Sequence, residues 1–429
     1  MGNFWSKIKL VWTDAALRNK VLFVLVALII FRLLSAIPIP GIDTAALERF
    51  LSGNQFFGIL NIFAGGGLSN LSIIMLGVGP YITSSIIMQL LTIMVPSLKR
   101  IYHEEGEAGR RKFTQYSRIL TVPLAAIQGF SLLAILENQG IISQPTVFDQ
   151  MANLIIVIAG SILLMWIGEL VSEFGIGNGV SLIIFAGIVA SLPSVVGQFV
   201  FTHIYPTFNP GILPTLIGFL VLAVLIIAAV VLVTEAERPI PVTYAKRVRG
   251  MKVYGGGSTY LPLRMNQAGV IPIIFALSIL LFPQLVGNAL TRFDGPVFEK
   301  ISAVLLSFTQ TSWAYMILYF ILVFLFTYFY TAVTFDPQSL SSNLQKNGAF
   351  IPGIRPGDST ANYISKVLGR ITLLGGLFLA MVAILPLLIQ RFNSDLGSVA
   401  IGGTTILIVV SVVLDLIKKV DSQISMREY

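Results

Sequence analysis

Few side chains in this sequence could carry chemistry. It contains two histidines, His103 and His203, and no cysteine. Disulfides, thiolate metal sites and a cysteine nucleophile are therefore excluded. The run Gly255-Gly256-Gly257-Ser258-Thr259 is glycine-rich, but it lacks the lysine with which a phosphate-binding loop reaches its nucleotide. No HExxH pair is present to hold zinc, and both histidines fall in predicted loops. The remaining candidates are charges inside apolar stretches, which an ion-coupled transporter uses as relays. Glu169, Glu173 and Asp415 sit at stretch ends, leaving Arg32 as the clearly internal charge. Its plainer role is helix packing or snorkelling toward an interface. Neither an enzyme nor a metal or cofactor site is expected.

The elements around these residues are apolar. Of the 429 residues 55% are hydrophobic and 11% charged, with mean hydropathy +0.86, against about 25% charged in a soluble domain. A bilayer core needs about 20 apolar residues in helix. Ten stretches qualify: 21–37, 72–95, 119–136, 153–171, 180–200, 212–233, 268–286, 313–335, 367–389 and 399–417. Lys7, Lys9, Arg18 and Lys20 precede the first as in a signal peptide, but Pro38-Ile39-Pro40-Gly41 follows in place of a cleavage site. It reads as a retained span.

Basic loops stay cytoplasmic. With the N-terminus inside, 21 of the 28 Lys and Arg fall in cytoplasmic segments and 4 in outer ones, with Arg32, Arg118 and Arg370 at or within spans. Both ends are then expected in the cytoplasm. Three cytoplasmic loops, 96–117, 234–267 and 336–366, are long and basic. Loops of that length exceed what joining two helices requires, and their Tyr, Pro and Gly punctuation suits ordered docking surfaces. The outer segment 56–70, FFGILNIFAGGGLSN, is apolar, glycine-interrupted and too short to span. It could be a re-entrant segment lining a cavity or an amphipathic loop on the outer surface. Channel, secondary transporter of small solutes and intramembrane enzyme all remain open, the last without a nucleophile or metal set.

Motifs taken in order narrow the choice. They are Arg32 with Ile37-Pro38-Ile39-Pro40-Gly41-Ile42-Asp43, then Phe63-Ala64-Gly65-Gly66-Gly67-Leu68-Ser69 and Pro80-Tyr81-Ile82-Thr83-Ser84-Ser85. Glu105-Gly106-Glu107-Ala108-Gly109-Arg110-Arg111-Lys112, Trp166-Ile167-Gly168-Glu169 and Gly175-Ile176-Gly177-Asn178-Gly179 come next. Tyr244-Ala245-Lys246-Arg247, Leu261-Pro262-Leu263-Arg264-Met265-Asn266 and Gly348 through Gly357 complete the series. Together they resemble the SecY/Sec61-alpha family over nearly the whole chain.

The resemblance implies an all-α integral membrane protein of ten transmembrane helices in two five-helix halves, 1–205 and 206–429, related as an inverted pseudo-repeat around a central pore with a re-entrant plug. It implies a channel in the bacterial plasma membrane, without ATPase activity of its own, that passes unfolded preproteins and releases apolar segments sideways into lipid. Its pore ring would be Val78, Ile82, Ile86, Val180, Ile184, Ile274 and Ile408. Two of these are valine where the family commonly has isoleucine, and Gly79 stands where it often has methionine. Its plug would be Asn61, Ile62, Phe63, Ala64, Gly65, Gly66, Gly67, Leu68 and Ser69, and its lateral gate Thr83, Gln89, Gln128, Asn266 and Phe282. Lys246, Arg247 and Arg355 would dock SecA or the ribosome. The implied partners are SecE, SecG, SecA and the ribosome, with SecDF and YidC, besides signal peptides, preproteins and membrane lipids.

Overall fold

The computed structural model describes residues 12–40, 47, 61, 66–68, 70–103, 105–142, 146–203, 213–244, 247–249, 252–254, 257–290, 295–307, 312–392 and 402–425. The chain is mostly helical, and a helix lies on each of the ten apolar stretches. In chain order these are α1 (Ala15–Ser35), α2 (Gly79–Met94), α4 (Gly106–Asn138), α5 (Val147–Phe174), α6 (Gly179–His203), α7 (Leu213–Glu235), α8 (Ile271–Leu290), α10 (Trp313–Thr334), α12 (Asp358–Phe392) and α13 (Gly402–Ser425). Among the described residues three more, α3 (Pro96–His103), α9 (Pro296–Leu306) and α11 (Pro337–Lys346), fall between them. His103 and His203 each close a helix instead of lying in a loop. Among the described residues four helices are long and apolar enough to cross a membrane alone, and α2 with its bent continuation makes a fifth.

Local chemistry sets the helix ends. Asp14 caps α1 by accepting the Ala16 N–H at 2.9 Å. Thr146 and Asp149 form a reciprocal capping box on α5. Pro96 forces Val95 into an extended conformation and ends α2. The chain then bends by 114° into α3.

Burial is distributed as lipid requires. On α1, Leu17, Val24, Ala27, Phe31 and Ser35 form a buried seam, while Leu22, Leu25, Val26, Ile29, Ile30 and Leu33 are exposed. An exposed aliphatic face of this kind opposite a buried seam suits hydrocarbon better than water.

Two compact units make up the chain: Met1–Ile217 with Leu277–Tyr315 and Pro386–Tyr429, and Gly218–Ala276 with Met316–Leu385. In the first, α4 packs on α2, α3 and α5, and α6 packs on α5 and α13. The turn 66–78 sits in this unit's core, where Leu68, Leu71, Met75 and Leu76 pack with Ala125, Leu132, Leu136 and Val157. Leu71 adopts the left-handed conformation at φ 41°, an uncommon one for a residue with a side chain. It is held there by full burial and by its carbonyl accepting the Ile39 N–H at 2.9 Å.

In the second unit the described parts of loops 234–267 and 336–366 contain strands that an all-helical reading does not provide. β1 (Glu237–Tyr244) pairs antiparallel with both β4 (Ser258–Arg264) and β5 (Ala349–Phe350). β2 (Arg247–Arg249) and β3 (Lys252–Tyr254) form a separate two-stranded sheet. Alternation explains β1 and β4: Ile240, Val242 and Leu263 point into a core shared with Ile351, Ile364 and Val367. Glu237 and Arg264, opposite each other in register, form an ion pair at 3.2 Å.

Candidate channel and docking sites

The proposed ring positions can be followed helix by helix. Val78, Ile82 and Ile86 repeat every four residues at the start of α2, so they share one face. Ser84 lies about 200° around that helix from Ile82, and its hydroxyl donates to the Ser117 carbonyl of α4 at 2.5 Å. The aliphatic stripe therefore faces away from α4. It is nonetheless buried, with Val78 at 0%, Ile82 at 6% and Ile86 at 2% exposure, which rules out a lipid-facing stripe. On α6, Ile184 is buried and Val180 half-buried, with a Val180 methyl against Gly168 of α5. Ile408, on α13 in the same unit, is buried, as is Ile274 in the second unit.

The α5–α6 join shows why its glycines are needed. Gly179 presses against the Gly168 carbonyl with no room for a Cβ. Its N–H donates to the Ser172 hydroxyl at 2.8 Å. Gly177 takes φ 99°, and the Asn178 side chain caps α6 by accepting the Val180 N–H at 3.1 Å. The WIGE and GIGNG motifs thus set α6, with Val180 and Ile184, against α5.

Of the expected plug, Asn61, Gly66, Gly67 and Leu68 are described; Ile62, Phe63, Ala64, Gly65 and Ser69 lie outside the described residues. Gly67 and Leu68 are buried. Gly66, at φ 85°, lies beside Arg32, where a Cβ would come 3.3 Å from the guanidinium. The internal arginine of α1 and the glycine run therefore share one place.

Of the gate residues, two meet. The Gln128 amide on α4 donates to the Thr83 hydroxyl on α2 at 3.5 Å, and Thr83 donates to the Gly79 carbonyl at 3.0 Å. Gly79 leaves space here, since a Cβ would stand 3.9 Å from the Gln128 carbonyl oxygen. Gln89 lies further along α2 and donates to Ser85 at 3.3 Å, its buried amide oxygen having no partner among the described residues. Asn266, in the second unit, donates to the Gly269 carbonyl at 3.2 Å. Phe282 is on α8, and its side chain lies outside the described residues.

Of the docking residues, Arg355 sits on a braced turn. Its carbonyl accepts the Thr360 hydroxyl at 2.8 Å, and Ser341 of α11 donates to the Gly357 carbonyl at 2.6 Å. Ile354 packs on the sheet core, Gly353 and Gly357 take positive φ, and the Arg355 side chain is exposed. Arg247 lies on β2, its side chain outside the described residues, as is the whole of Lys246.

Sequence reasoning anticipated no ion pair, and one of those present joins two of the apolar helices. Arg118 of α4 donates its Nε–H to Glu169 of α5 at 2.9 Å. Both sit at the ends of their apolar stretches, on the side that charge counting expects to be cytoplasmic. A pair at that boundary lets the two charges offset each other, in keeping with Glu169 having been set aside as a relay.

Comparison with known proteins decides the family. The family model described as SecY matches residues 72–417. The protein translocase subunit SecY of Halalkalibacterium halodurans is 44% identical across 96% of both chains. That of Mycobacterium bovis is 39% identical, again across 96% of both. The chain belongs to the SecY family. Solved structures agree on the fold. A protein-conducting channel superposes with TM-score 0.61 at 20% identity, covering 94% of this chain and 91% of that one. Canine Sec61, from a ribosome–channel complex, gives 0.57 at 19% identity over the same shares. As a SecY family member the chain is a multi-pass membrane protein and a translocase subunit. Small-solute transport is not favoured.

Proposed function

We propose that this chain forms the pore through which unfolded preproteins cross the bacterial plasma membrane, with both termini cytoplasmic and two halves, 1–205 and 206–429, around the pore. The observation that carries the reading is the burial of a purely aliphatic stripe, Val78, Ile82 and Ile86, on the face of α2 turned away from α4. Together with Val180, Ile184, Ile274 and Ile408 it supports a constriction that sheds water when empty and offers ions no ligands. Residues 61–69 would close the outer side, Gly66 resting beside Arg32.

Apolar segments would leave sideways where Thr83, Gln89, Gln128, Asn266 and Phe282 line a seam. That seam would run between α2 and α4 on one side and α8 and α10 on the other. Interhelical amide bonds in membranes are worth about 0.6 kcal/mol on average, and the Gln128–Thr83 bond, at the long limit, would join the two helices of the first side. Energy would come from outside the chain, from SecA or the ribosome docked at Arg355, Lys246 and Arg247. SecE, SecG, SecDF and YidC complete the expected assembly.

The test is protease protection of a secretory precursor in proteoliposomes holding this chain with SecE, SecA and ATP. Protection that depends on all components supports the reading. Accumulation of a small solute with no protected precursor would overturn it in favour of a secondary transporter.

A further inference from the structure

A polar pocket of about 530 Å³ opens in the first unit, lined by Glu107, Arg110, Arg111, Thr114 and Arg118 of α4 and by Glu173 of α5. Its α4 side belongs largely to the basic loop 96–117, but none of the proposed pore-ring residues and none of Lys246, Arg247 and Arg355 lines it. Its depth is set by α4, which runs unbroken through Gly106–Asn138 while its apolar part begins at Ile119. At 1.5 Å per residue, Arg118 and Thr114 stand about 1.5 and 7.5 Å from that boundary, and Glu107 about 18 Å beyond it. The polar interface of a bilayer is about 5–8 Å deep on each side, so the pocket spans the headgroup layer and the water just outside. Along the same two helices Ile119, Val122, Trp166 and Leu170 are exposed, up to 69% for Ile119. A tryptophan among aliphatic side chains at this level is the usual signature of the lipid interface.

Charge in the pocket is balanced. Arg110 and Arg111 share the lining with two carboxylates, Glu107 and Glu173, and Arg118 already gives its Nε–H to a third, Glu169, at 2.9 Å. A purely anionic headgroup would meet two carboxylates, and a purely cationic one three guanidiniums. We infer that this pocket takes a zwitterionic phospholipid headgroup of the phosphoethanolamine class, its phosphate on the arginines and its ammonium on Glu107 and Glu173. Guanidinium matches phosphate oxygens with paired N–H donors. A primary ammonium can donate to both carboxylates, which the quaternary ammonium of phosphocholine cannot. The acyl chains would lie along Ile119, Val122 and Leu170.

The experiment uses the full chain in nanodiscs of equal parts phosphatidylethanolamine, phosphatidylglycerol and phosphatidylcholine with identical acyl chains. Retained lipids are counted by native mass spectrometry. The ethanolamine lipid should be retained over both others. Glu107→Gln with Glu173→Gln should cut its advantage over phosphatidylglycerol roughly tenfold, on the scale of two partly exposed ion pairs. Arg110→Gln with Arg111→Gln should lower retention of all three. Equal or stronger retention of phosphatidylglycerol by the wild type would overturn the assignment, and that comparison needs no variant to fold. So would an undiminished ethanolamine preference in the double glutamine variant. Absence of any lipid preference would equally overturn it, and would point to a protein segment in the pocket.

Discussion

Gly160 of α5 lies directly against the carbonyl of Ile73, so close that a Cβ would overlap that oxygen. The next residue, Ser161, donates its hydroxyl to the Gly77 carbonyl at 3.1 Å. One turn of α5 thereby clamps both ends of the 73–78 turn that carries Val78 and leads into Ile82. The obstacle is backbone, which cannot rotate aside as a side chain can. Gly160→Ala should therefore destabilise the fold by about 2–3 kcal/mol, the upper range for overpacking. Ser161→Ala, which removes one hydrogen bond, should cost about 1 kcal/mol. Thermal unfolding of the purified protein measures both. An alanine at 160 that leaves the midpoint unchanged would show that this contact does not hold the turn.

The contact between α2 and α4, which form one side of the proposed gate, offers a prediction of the opposite kind, a change in function with little change in stability. Gln128→Ala removes a long bond to Thr83 worth about 0.6 kcal/mol on the scale of interhelical polar contacts. If that bond helps to keep a gate shut, the variant should pass precursors with weakened signal sequences more readily, at unchanged melting temperature. Thr83→Ala should have the same effect and add little when combined with it, because both remove one interaction. Unaltered signal-sequence selectivity in both variants would mark the pair as ordinary interhelical glue.

The ring predicts a leak. Ile82→Gly with Ile184→Gly should raise ion conductance through idle channels in planar bilayers, by removing two aliphatic walls from the constriction. Each glycine also weakens its helix by about 1 kcal/mol, so the comparison is Leu25→Gly with Ile29→Gly, both on the exposed face of α1. The control bears the same helix penalty and should stay tight. Equal conductance in both would mean that Ile82 and Ile184 do not line the constriction.

How legible these sites are in the sequence depends on what distinguishes them. Apolar stretches and basic loops are composition, and each stretch carries a helix. The stripe 78, 82, 86 is visible as spacing, but lipid-facing and packed faces use the same side chains. Leu25 at 47% exposure and Ile86 at 2% look alike until burial separates them. Gly160, Gly168 and Gly179 show their identity in the sequence without showing which carbonyl approaches them. The small sheet left a signal in the alternation of Ile240 with Val242 and Leu261 with Leu263. Pro239, Pro241 and Pro262 obscure it, because proline argues against a strand, and here Pro239 and Pro262 face each other across β1 and β4.

Arg355 carries the last prediction. Its turn is braced from three directions, by the Thr360 hydroxyl on its own carbonyl, by Ser341 on Gly357 and by Ile354 in the sheet core. None of these involves the guanidinium. The side chain can therefore be changed without disturbing what holds the backbone, and Arg355→Glu should fold normally. Reversing charge there should abolish translocation driven by SecA, since an acidic side chain would face the surface that arginine is proposed to bind. Arg355→Lys keeps the charge but loses the planar fork of donors, so it should retain a fraction of activity with weaker SecA binding. Thr360→Ala separates position from charge: it leaves the guanidinium in place but frees the carbonyl of its brace, and should raise the SecA concentration needed for half-maximal transport. Measured together in proteoliposomes, the three should rank glutamate far below lysine, with Thr360→Ala restored by excess SecA. Near-normal transport by Arg355→Glu would remove this residue from the dock.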